Sequence, residues 1–128
     1  MGYDVHITRR AEWFEDEGPE ITLDEWLAVI RDDPEMRLDG YAEASLPSGK
    51  VLRVADASMA VWTAYSKHGV GGNMAWMWHS HGNVMAKNPD DEMLCKMWQI
   101  AERLSAQVQG DEGELYGPDG QVASDPGE

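Results

Sequence analysis

Two helix starts constrain the fold of this sequence more than any other feature. At the first, Thr22 lies three residues before Glu25, which is the spacing of a capping box. Apolar residues then recur at helical intervals as far as Pro34. The helix must end near Asp33, because the residue before a proline avoids the α conformation. The sequence therefore predicts a short amphipathic helix over about 22–33.

The second helix start is the run Asn88-Pro89-Asp90-Asp91. Asparagine is a preferred N-cap, proline is favoured at the first helical position, and acidic side chains suit the first turn. The run thus predicts a helix with Asn88 as its N-cap, extending to about Ser105.

The remainder of the chain shows strand patterns. Gly2 to Thr8 alternates apolar and polar residues, which predicts a strand with one buried face. The turn residues Gly82-Asn83 predict a hairpin in which His81 pairs with Val84 and His79 with Ala86. Residues 33–39 are predicted as a turn or a short helical piece. Further strands are predicted at 41–46 and 50–55, which form a hairpin, and at 60–65, 74–81, 84–87, 107–109 and 114–116.

This order of elements favours an α+β fold. We expect a single-domain antiparallel β-sheet with two main α-helices packed on one face, formed by residues 1–116. Residues 117–128 contain Gly, Pro, Asp and Ser with little to bury, and we expect a disordered acidic tail there.

The charge of the chain limits its partners. There are 24 Asp and Glu against 10 Lys and Arg, which gives a formal net charge of -14. Such a field repels nucleic acid and attracts basic proteins. No segment approaches the roughly 20 apolar residues of a membrane span, and no apolar signal region follows Met1. With a single cysteine, Cys95, these features predict a cytoplasmic location and no membrane or nucleic-acid partner.

Two clusters of carboxylates contain aromatic residues. Aromatic anchors ringed by charged residues are typical of protein interfaces. We therefore expect a contact surface for a basic protein at each cluster. The first consists of Trp13, Phe14, Glu15 and Asp16, and the second of Asp111, Glu112, Glu114 and Tyr116.

The histidines support an alternative function. His6 lies beside Asp4 on the polar face of the first strand, which would suit general acid–base chemistry in a small-ligand protein or enzyme. His79 and His81 are two residues apart on a predicted strand, so both could face one metal ion. The spacing supplies no third ligand, however, and zinc sites usually have three or four. The sequence therefore predicts no metal, no cofactor and no catalytic residue.

The tryptophans of the second predicted hairpin suggest a further contact. Trp76 and Trp78 share one face of their strand, and the residues of the other face are also partly apolar. One face should meet the helices. The other is either buried within the monomer or forms a homodimer interface.

Several segments together resemble a group of small, stand-alone, acidic bacterial proteins without an established activity. The resemblance covers about residues 2–116. It implies a single complete domain of bacterial origin, and it assigns no catalytic or binding residues. The segments that carry it are Tyr3-Asp4-Val5-His6-Ile7-Thr8-Arg9, Asp33-Pro34-Glu35-Met36-Arg37-Leu38-Asp39, Val61-Trp62-Thr63-Ala64-Tyr65, Lys87-Asn88-Pro89-Asp90-Asp91-Glu92 and Val108-Gln109-Gly110-Asp111-Glu112-Gly113-Glu114.

These observations favour a binding protein over an enzyme. Small acidic bacterial domains often neutralise basic toxins, so we expect an immunity-like domain that blocks the active-site cleft of a basic partner. The negative field would accelerate the encounter of the two proteins.

Overall fold

Both helices form close to their predicted starts. The computed structural model describes residues 3–15, 17–68 and 75–122, with the backbone alone for 42–45. Helix α1 spans Leu23–Asp32, and Thr22 and Glu25 make the complete capping box. Helix α2 spans Asp91–Arg103, and its N-cap is Asp90. The prediction that Asn88 is the N-cap was therefore wrong.

Asn88 lies outside α2 because its backbone has a left-handed φ of +51°. Its side-chain oxygen instead accepts a hydrogen bond of 2.7 Å from the backbone N–H of Tyr3. Pro89 therefore precedes the helix, and the side chain of Asp90 accepts the hydrogen bond from the N–H of Met93.

Seven strands form one antiparallel sheet in the order β2-β5-β6-β7-β1-β8-β9, and two others pair separately as β3-β4. With the two helices, this confirms the predicted α+β fold. The strands are β1 Asp4–Thr8, β2 Met36–Leu38, β3 Tyr41–Ser45, β4 Val51–Ala55, β5 Ala60–Trp62, β6 Trp76–Ser80, β7 Asn83–Lys87, β8 Gln107–Gly110 and β9 Leu115–Tyr116.

Two of the turns predicted in this sheet were wrong. Residues 33–39 do not form a turn or helical piece throughout, because Met36–Leu38 pairs with β5 as an edge strand. In the β6–β7 hairpin, Ser80 pairs with Asn83 and His79 with Val84, so the turn is His81-Gly82. Both turn residues have positive φ, of 52° and 81°. Such a turn matches the twist of the two strands, and this accounts for the shift of the register.

The core lies between the sheet and the two helices. Val5, Ile7, Met77 and Val84 are almost completely buried on the sheet side. Burying each such side chain stabilises the fold by roughly 1.5–3 kcal/mol. The helices contribute fully buried residues to the same cluster, among them Trp26 from α1 and Met97 and Ile100 from α2.

Strand β1 differs from its prediction because both of its faces are buried. Val5 and Ile7 face the helices as expected, but His6 is only 3% exposed and Thr8 is fully buried. β1 lies between β7 and β8, so neither of its edges meets solvent. The segment after β1 also covers the sheet face that lies away from the helices, which we call the outer face.

A buried ion pair joins α2 to the end of α1. The ammonium group of Lys96 lies 2.7 Å from a carboxylate oxygen of Asp33 and 2.9 Å from one of Glu35. Burial raises the pKa of Asp33, but the hydrogen bonds from Lys96 and from the backbone N–H of Glu35, together with the positive charges of Lys96 and Arg103, outweigh that effect, and the net shift is downward. The buried charges of Lys96 and Asp33 therefore each have an oppositely charged partner within the fold.

The β3–β4 hairpin, residues Tyr41–Ala55, stands apart from the large sheet, and we call it the arm. All of β4 is exposed, including Leu52 and Val54 at 54% and 53%. Among the ring contacts of the described side chains, Tyr41 lies 6.4 Å from Trp76 of β6, and the guanidinium of Arg53 lies 4.1 Å above the Tyr41 ring. The predicted hairpin at 41–46 and 50–55 is thus confirmed.

The chain continues in ordered form beyond Tyr116. The backbone N–H of Gly117 donates to the carbonyl of Gln121, and Val122 pairs with Tyr116. Residues 123–128, in which the rest of the tail was expected, lie outside the described residues. Over the described ranges, neither helix has the length and apolar character needed to cross a membrane.

Candidate functional site

The outer face carries a row of four side chains across neighbouring strands. Trp78 pairs with Met85, Met85 with His6, and His6 with Gln109. Side chains that pair in this way stand next to one another on the same face. The row therefore brings an aromatic ring, a thioether, an imidazole and a carboxamide together.

Residues Arg9–Glu15, which we call the Trp13 loop, cross this row. Gln109 holds the loop with both ends of its carboxamide, although it is only 2% exposed. Its oxygen accepts a hydrogen bond of 2.7 Å from the N–H of Trp13. Its nitrogen lies 3.2 Å from the carbonyl oxygens of Ala11 and Gly113 and donates to them. One buried side chain thus satisfies two backbone groups of the irregular loop and one of the turn between β8 and β9.

Two further carboxamides hold the loop. Asn83 Nδ2 donates to the carbonyl of Trp13 at 2.9 Å, and Gln107 Nε2 donates to the carbonyl of Arg10 at 3.1 Å. The loop is therefore fixed to strands β7 and β8 by side chains, without joining the sheet itself.

The Trp13 ring lies flat on the ring of His6. Their centroids are 3.9 Å apart and the planes differ by 5°. His6 Nε2 lies 2.9 Å from a carboxylate oxygen of Asp111, and the second oxygen of that carboxylate accepts from the N–H of Asp4 at 2.9 Å. The indole N–H of Trp13 donates to the backbone carbonyl of Asp111 at 3.3 Å. Asp111 therefore orients both rings.

A cavity of about 790 Å³ opens beside this stack, and we call it the cleft. Phe14 stands at its rim with 61% of its surface exposed. The rings of Phe14 and Trp13 pack in a T-shaped arrangement, with their centroids 5.6 Å apart and their planes at 89°. Glu15 and Glu20 are exposed acids on the lining. The other lining residues are His6, Arg10, Trp13, His79, Ser80, His81, Gly82, Asn83 and Met85.

The second predicted cluster is built differently. The carboxylate of Glu114 accepts hydrogen bonds from the hydroxyl groups of Tyr3 and Tyr116. The Glu114 carboxylate packs so closely against Gly110 that a side chain at position 110 would clash with it. Burial, followed by the hydrogen bond to Glu114, raises the pKa of Tyr3 to about 12. Glu114 and Tyr116 are therefore engaged within the fold.

The predicted contact residues end up in two places. Asp111 joins Trp13 and Phe14 beside the cleft, so the two clusters expected to be separate meet at this point. Glu112 is exposed, whereas Glu114 and Tyr116 are half-buried. Asp16 lies outside the described residues.

The two histidines of the β6–β7 hairpin do not share a strand face. His79 lies 2.6 Å from the carbonyl oxygen of Ile21, which can only accept, so His79 donates to it. His81 is a turn residue. Within the described ranges, no group of three or more His, Cys, Asp or Glu side chains is arranged to hold a metal ion. The strand geometry on which the metal alternative depended was therefore wrong.

Trp76 and Trp78 are half-buried on the outer face. They line a second cavity, of about 570 Å³, together with side chains of the arm and of α2. Neither tryptophan belongs to the helix-side core, so the choice between burial in the monomer and a homodimer stays open.

Sequence reasoning did not identify Gln109, Asn83 and Arg10 as parts of the site. One signal was available. Gln107 and Gln109 are two residues apart on a short strand, so their side chains share one face of it, and the other residues of the strand are not polar. Buried carboxamides need partners, so such a pair indicates a loop that crosses the strand. Arg10 gave no comparable signal, because its burial depends on the position of the β6–β7 turn.

The chain was compared with protein-family models, with curated proteins and with solved structures, and none of them matches. The resemblance to small acidic bacterial proteins therefore stays a prediction.

Proposed function

We propose that this chain is a protein-binding domain of the immunity-like, toxin-neutralising kind, and that it captures a basic partner at the cleft. The observation that carries the proposal is Phe14, a largely exposed aromatic side chain on a loop that is fixed by Gln109, Gln107 and Asn83. The exposed acids that follow it in the sequence are Glu15, Glu17 and Glu20.

The fixed loop matters because binding usually costs free energy to immobilise the groups at the interface. Here the N–H of Trp13 and the carbonyls of Arg10, Ala11 and Trp13 already have hydrogen-bond partners before another protein binds. An aromatic side chain held in this way resembles the anchors that contribute most of the binding energy in protein interfaces.

Charge supports a basic partner. The chain carries a formal net charge of -14, and Glu15 and Glu20 place part of it at the rim of the cleft. Carboxylates at the rim accelerate association and reject acidic partners, while the aromatic group supplies affinity. In this scheme the domain would cover a basic active-site cleft and insert Phe14 into it.

The proposal can be tested by capture from the lysate of the native host, with the purified chain as bait. We expect a basic protein to be retained at low salt and released at about 0.5 M salt, where charges are screened within a few ångströms. Replacing Phe14→Ala should weaken retention at least tenfold, which corresponds to loss of about 1.4 kcal/mol at an aromatic anchor.

Matched controls separate the cleft from the overall charge. Leu115→Ala removes another exposed apolar side chain, and Glu102→Gln removes an exposed acid on α2. Both should retain the partner. The proposal fails if no basic protein is bound at low salt, or if Phe14→Ala and Leu115→Ala behave alike.

A second candidate function rests on His6. His6 is one of the residues that line the cleft, and its imidazole is paired with Asp111, an arrangement that orients a histidine for general acid–base chemistry on a small ligand. His6→Gln in a screen for turnover or ligand binding would test it. A ligand that binds wild type and His6→Gln equally would remove this candidate.

A homodimer through the Trp76 and Trp78 hairpin is a separate prediction, compatible with both functions. Light scattering at micromolar concentration would test it, and a monomeric mass would refute it.

A further inference from the structure

The outer edge of the arm is a surface that the proposed function does not use. Among the described strands β4 pairs only with β3, and every residue of β4 is exposed. Val51, Leu52 and Val54 have 59%, 54% and 53% of their surfaces exposed. An exposed apolar strand with an unpaired edge is a template on which another strand can pair.

Hydrogen bonds at the two ends of the arm determine which backbone groups lie on this edge. The N–H of Leu46 donates to the carbonyl of Lys50 at 2.8 Å, and the N–H of Asp56 donates to that of Gly40 at 3.0 Å. Hydrogen-bonded pairs alternate along an antiparallel ladder, so the even-numbered residues of β4 bond to β3. The backbone N–H and C=O of Val51 therefore point away from β3, towards the outer edge.

The two edges of the large sheet are protected, in contrast to β4. Strand β2 has three residues, and the side chain of its Arg37 bonds to Asp39. Strand β9 has two residues, and its Tyr116 pairs with Val122. Short strands, charges and covering segments are the usual means by which folds prevent pairing at an edge. Strand β4 has five residues, of which four are apolar, and so has little of this protection.

The distribution of charge indicates which chain can pair there. The arm contains Glu43, Lys50 and Arg53, so its formal charge is +1. The remaining residues carry -15, because the whole chain carries -14. Two copies of this chain repel each other through those remaining residues. The arm, which stands apart from the large sheet, is where two copies can approach at the lowest electrostatic cost.

We propose that β4 pairs in antiparallel fashion with the β4 of a second copy, about a two-fold axis at Leu52, so that the two arms form one four-stranded sheet. Leu52 then lies opposite its counterpart, and Val51 lies opposite Arg53 of the other copy. A two-stranded hairpin is only marginally stable in water, and each arm gains two further strands in this way.

Charge also selects this register. An axis at Arg53 would place two like charges directly opposite each other, which destabilises a pair of strands. The axis at Leu52 lies closer to the turn of the arm, so the acidic remainders of the two copies stay farther apart. The dimer uses neither the cleft nor the hairpin of Trp76 and Trp78, and it is therefore independent of the proposed function.

The dimer should be weak, because only one short strand of each copy takes part. Its interface falls below the roughly 1,200 Å² of a stable complex, so we expect a dissociation constant of about 100 µM. At about 5 µM the chain therefore stays a monomer, and its arm is exposed to solvent.

The first test is sedimentation equilibrium of the reduced full chain between about 5 and about 500 µM. We expect the mass to rise from 14.3 kDa towards twice that value. Raising the salt from about 0.05 M to about 0.5 M should tighten the dimer at least about threefold, because salt screens the repulsion between the acidic remainders. A monomeric mass at the highest concentration in both salts would overturn the inference.

Salt also separates this inference from the proposed function. Capture of a basic partner at the cleft weakens as salt is added, whereas pairing of the arms strengthens. A dimer that dissociates in high salt would contradict pairing through the arm, whatever the result of the capture experiment.

Val51→Pro tests the edge itself. Proline removes the outward N–H without removing a bond to β3, so the arm keeps its own ladder while dimerisation should weaken at least about tenfold. Val51→Thr keeps the N–H and a β-branched side chain, and it should dimerise nearly as well as wild type. Equal dimerisation of the two variants would show that β4 does not pair.

Disulfide formation in a Cys95→Ser background tests the register and does not depend on the proline variant. Leu52→Cys places two thiols opposite each other across the axis, so it should give a covalent dimer at about 100 µM. Val122→Cys is the control, because Val122 is also 59% exposed but lies beside β9. Equal yields of covalent dimer from the two variants would overturn the proposed pairing.

Discussion

The Trp13 loop and the arm both expose apolar side chains, but they are held in opposite ways. The arm is regular in structure, since its strands pair with each other from Tyr41 to Ala55. Its apolar residues Leu52 and Val54 are nevertheless more than half exposed, and it lies outside the large sheet. The Trp13 loop has no strand pairing of its own, yet the buried carboxamides of Asn83 and Gln109 and the half-buried one of Gln107 fix it to the sheet.

The difference shows that regular secondary structure and attachment to the core are separate properties. A two-stranded hairpin alone is only marginally stable in water. A loop without regular pairing is attached to the core when side chains of the sheet bond its backbone groups. For this reason the Trp13 loop, and not the arm, carries the proposed anchor.

The largest effect is expected from Gln109→Ala. The change leaves the N–H of Trp13 and the carbonyls of Ala11 and Gly113 without their buried partner. We expect a loss of about 3 kcal/mol in the free energy of unfolding, measured in urea. The control Gln107→Ala removes a single bond to the loop and should cost about 1 kcal/mol. Equal losses would show that Gln109 does not fix the loop.

A smaller effect is expected from Glu25→Gln and depends on pH. Hydrogen bonds from Arg9, which begins the Trp13 loop, and from the backbone of the capping box lower the pKa of Glu25 from 4.5 to about 2. The ionised form is therefore favoured in the folded state. Its contribution to stability is present above pH 4.5 and is lost as the pH falls towards 2.

The stability difference between wild type and Glu25→Gln should shrink across that pH range in urea unfolding curves. A difference that stays constant across that pH range would contradict the assignment of the shift to Arg9.

The smallest effect is expected in the arm. Leu52→Ser replaces an apolar side chain that is 54% exposed, so the free energy of unfolding should change by no more than about 0.5 kcal/mol. The matched core variant Val84→Ala, which loses fully buried methyl groups, should cost about 2 kcal/mol. If Leu52→Ser lowered the free energy of unfolding as much as Val84→Ala, the arm would be covered in solution. The contrast between the arm and the Trp13 loop would then be wrong.

Much of the fold could be predicted from local patterns. The capping box at Thr22 and Glu25 and the hairpin predicted at 41–46 and 50–55 fix their elements within a few residues, because the hydrogen-bond partners are close in the sequence. Strand β2 was missed because three residues beside a proline carry little periodicity. Its pairing with β5 depends on the tertiary structure.

The site could be predicted only in part. Trp13, Phe14 and Asp111 were identified as candidates from their composition, but their meeting depends on the pairing of β1 with β8. Arg10 and Asn83 were missed because their positions depend on the register of the β6–β7 hairpin. A shift of one residue in the turn changes which side chains lie at that end of the hairpin. The sequence shows which residues suit an interface, and the topology determines which of them meet.

The tight turn at Gly82 has a consequence for how this surface can change over time. A side chain at position 82 would meet both Arg10 and Glu20, and the backbone there has a φ of +81° that disfavours other residues. Positions 10, 20 and 82 should therefore be inherited as a set. A lineage that lost the glycine would have to rebuild the arginine and glutamate together, so the lining of the cleft would change in a single step.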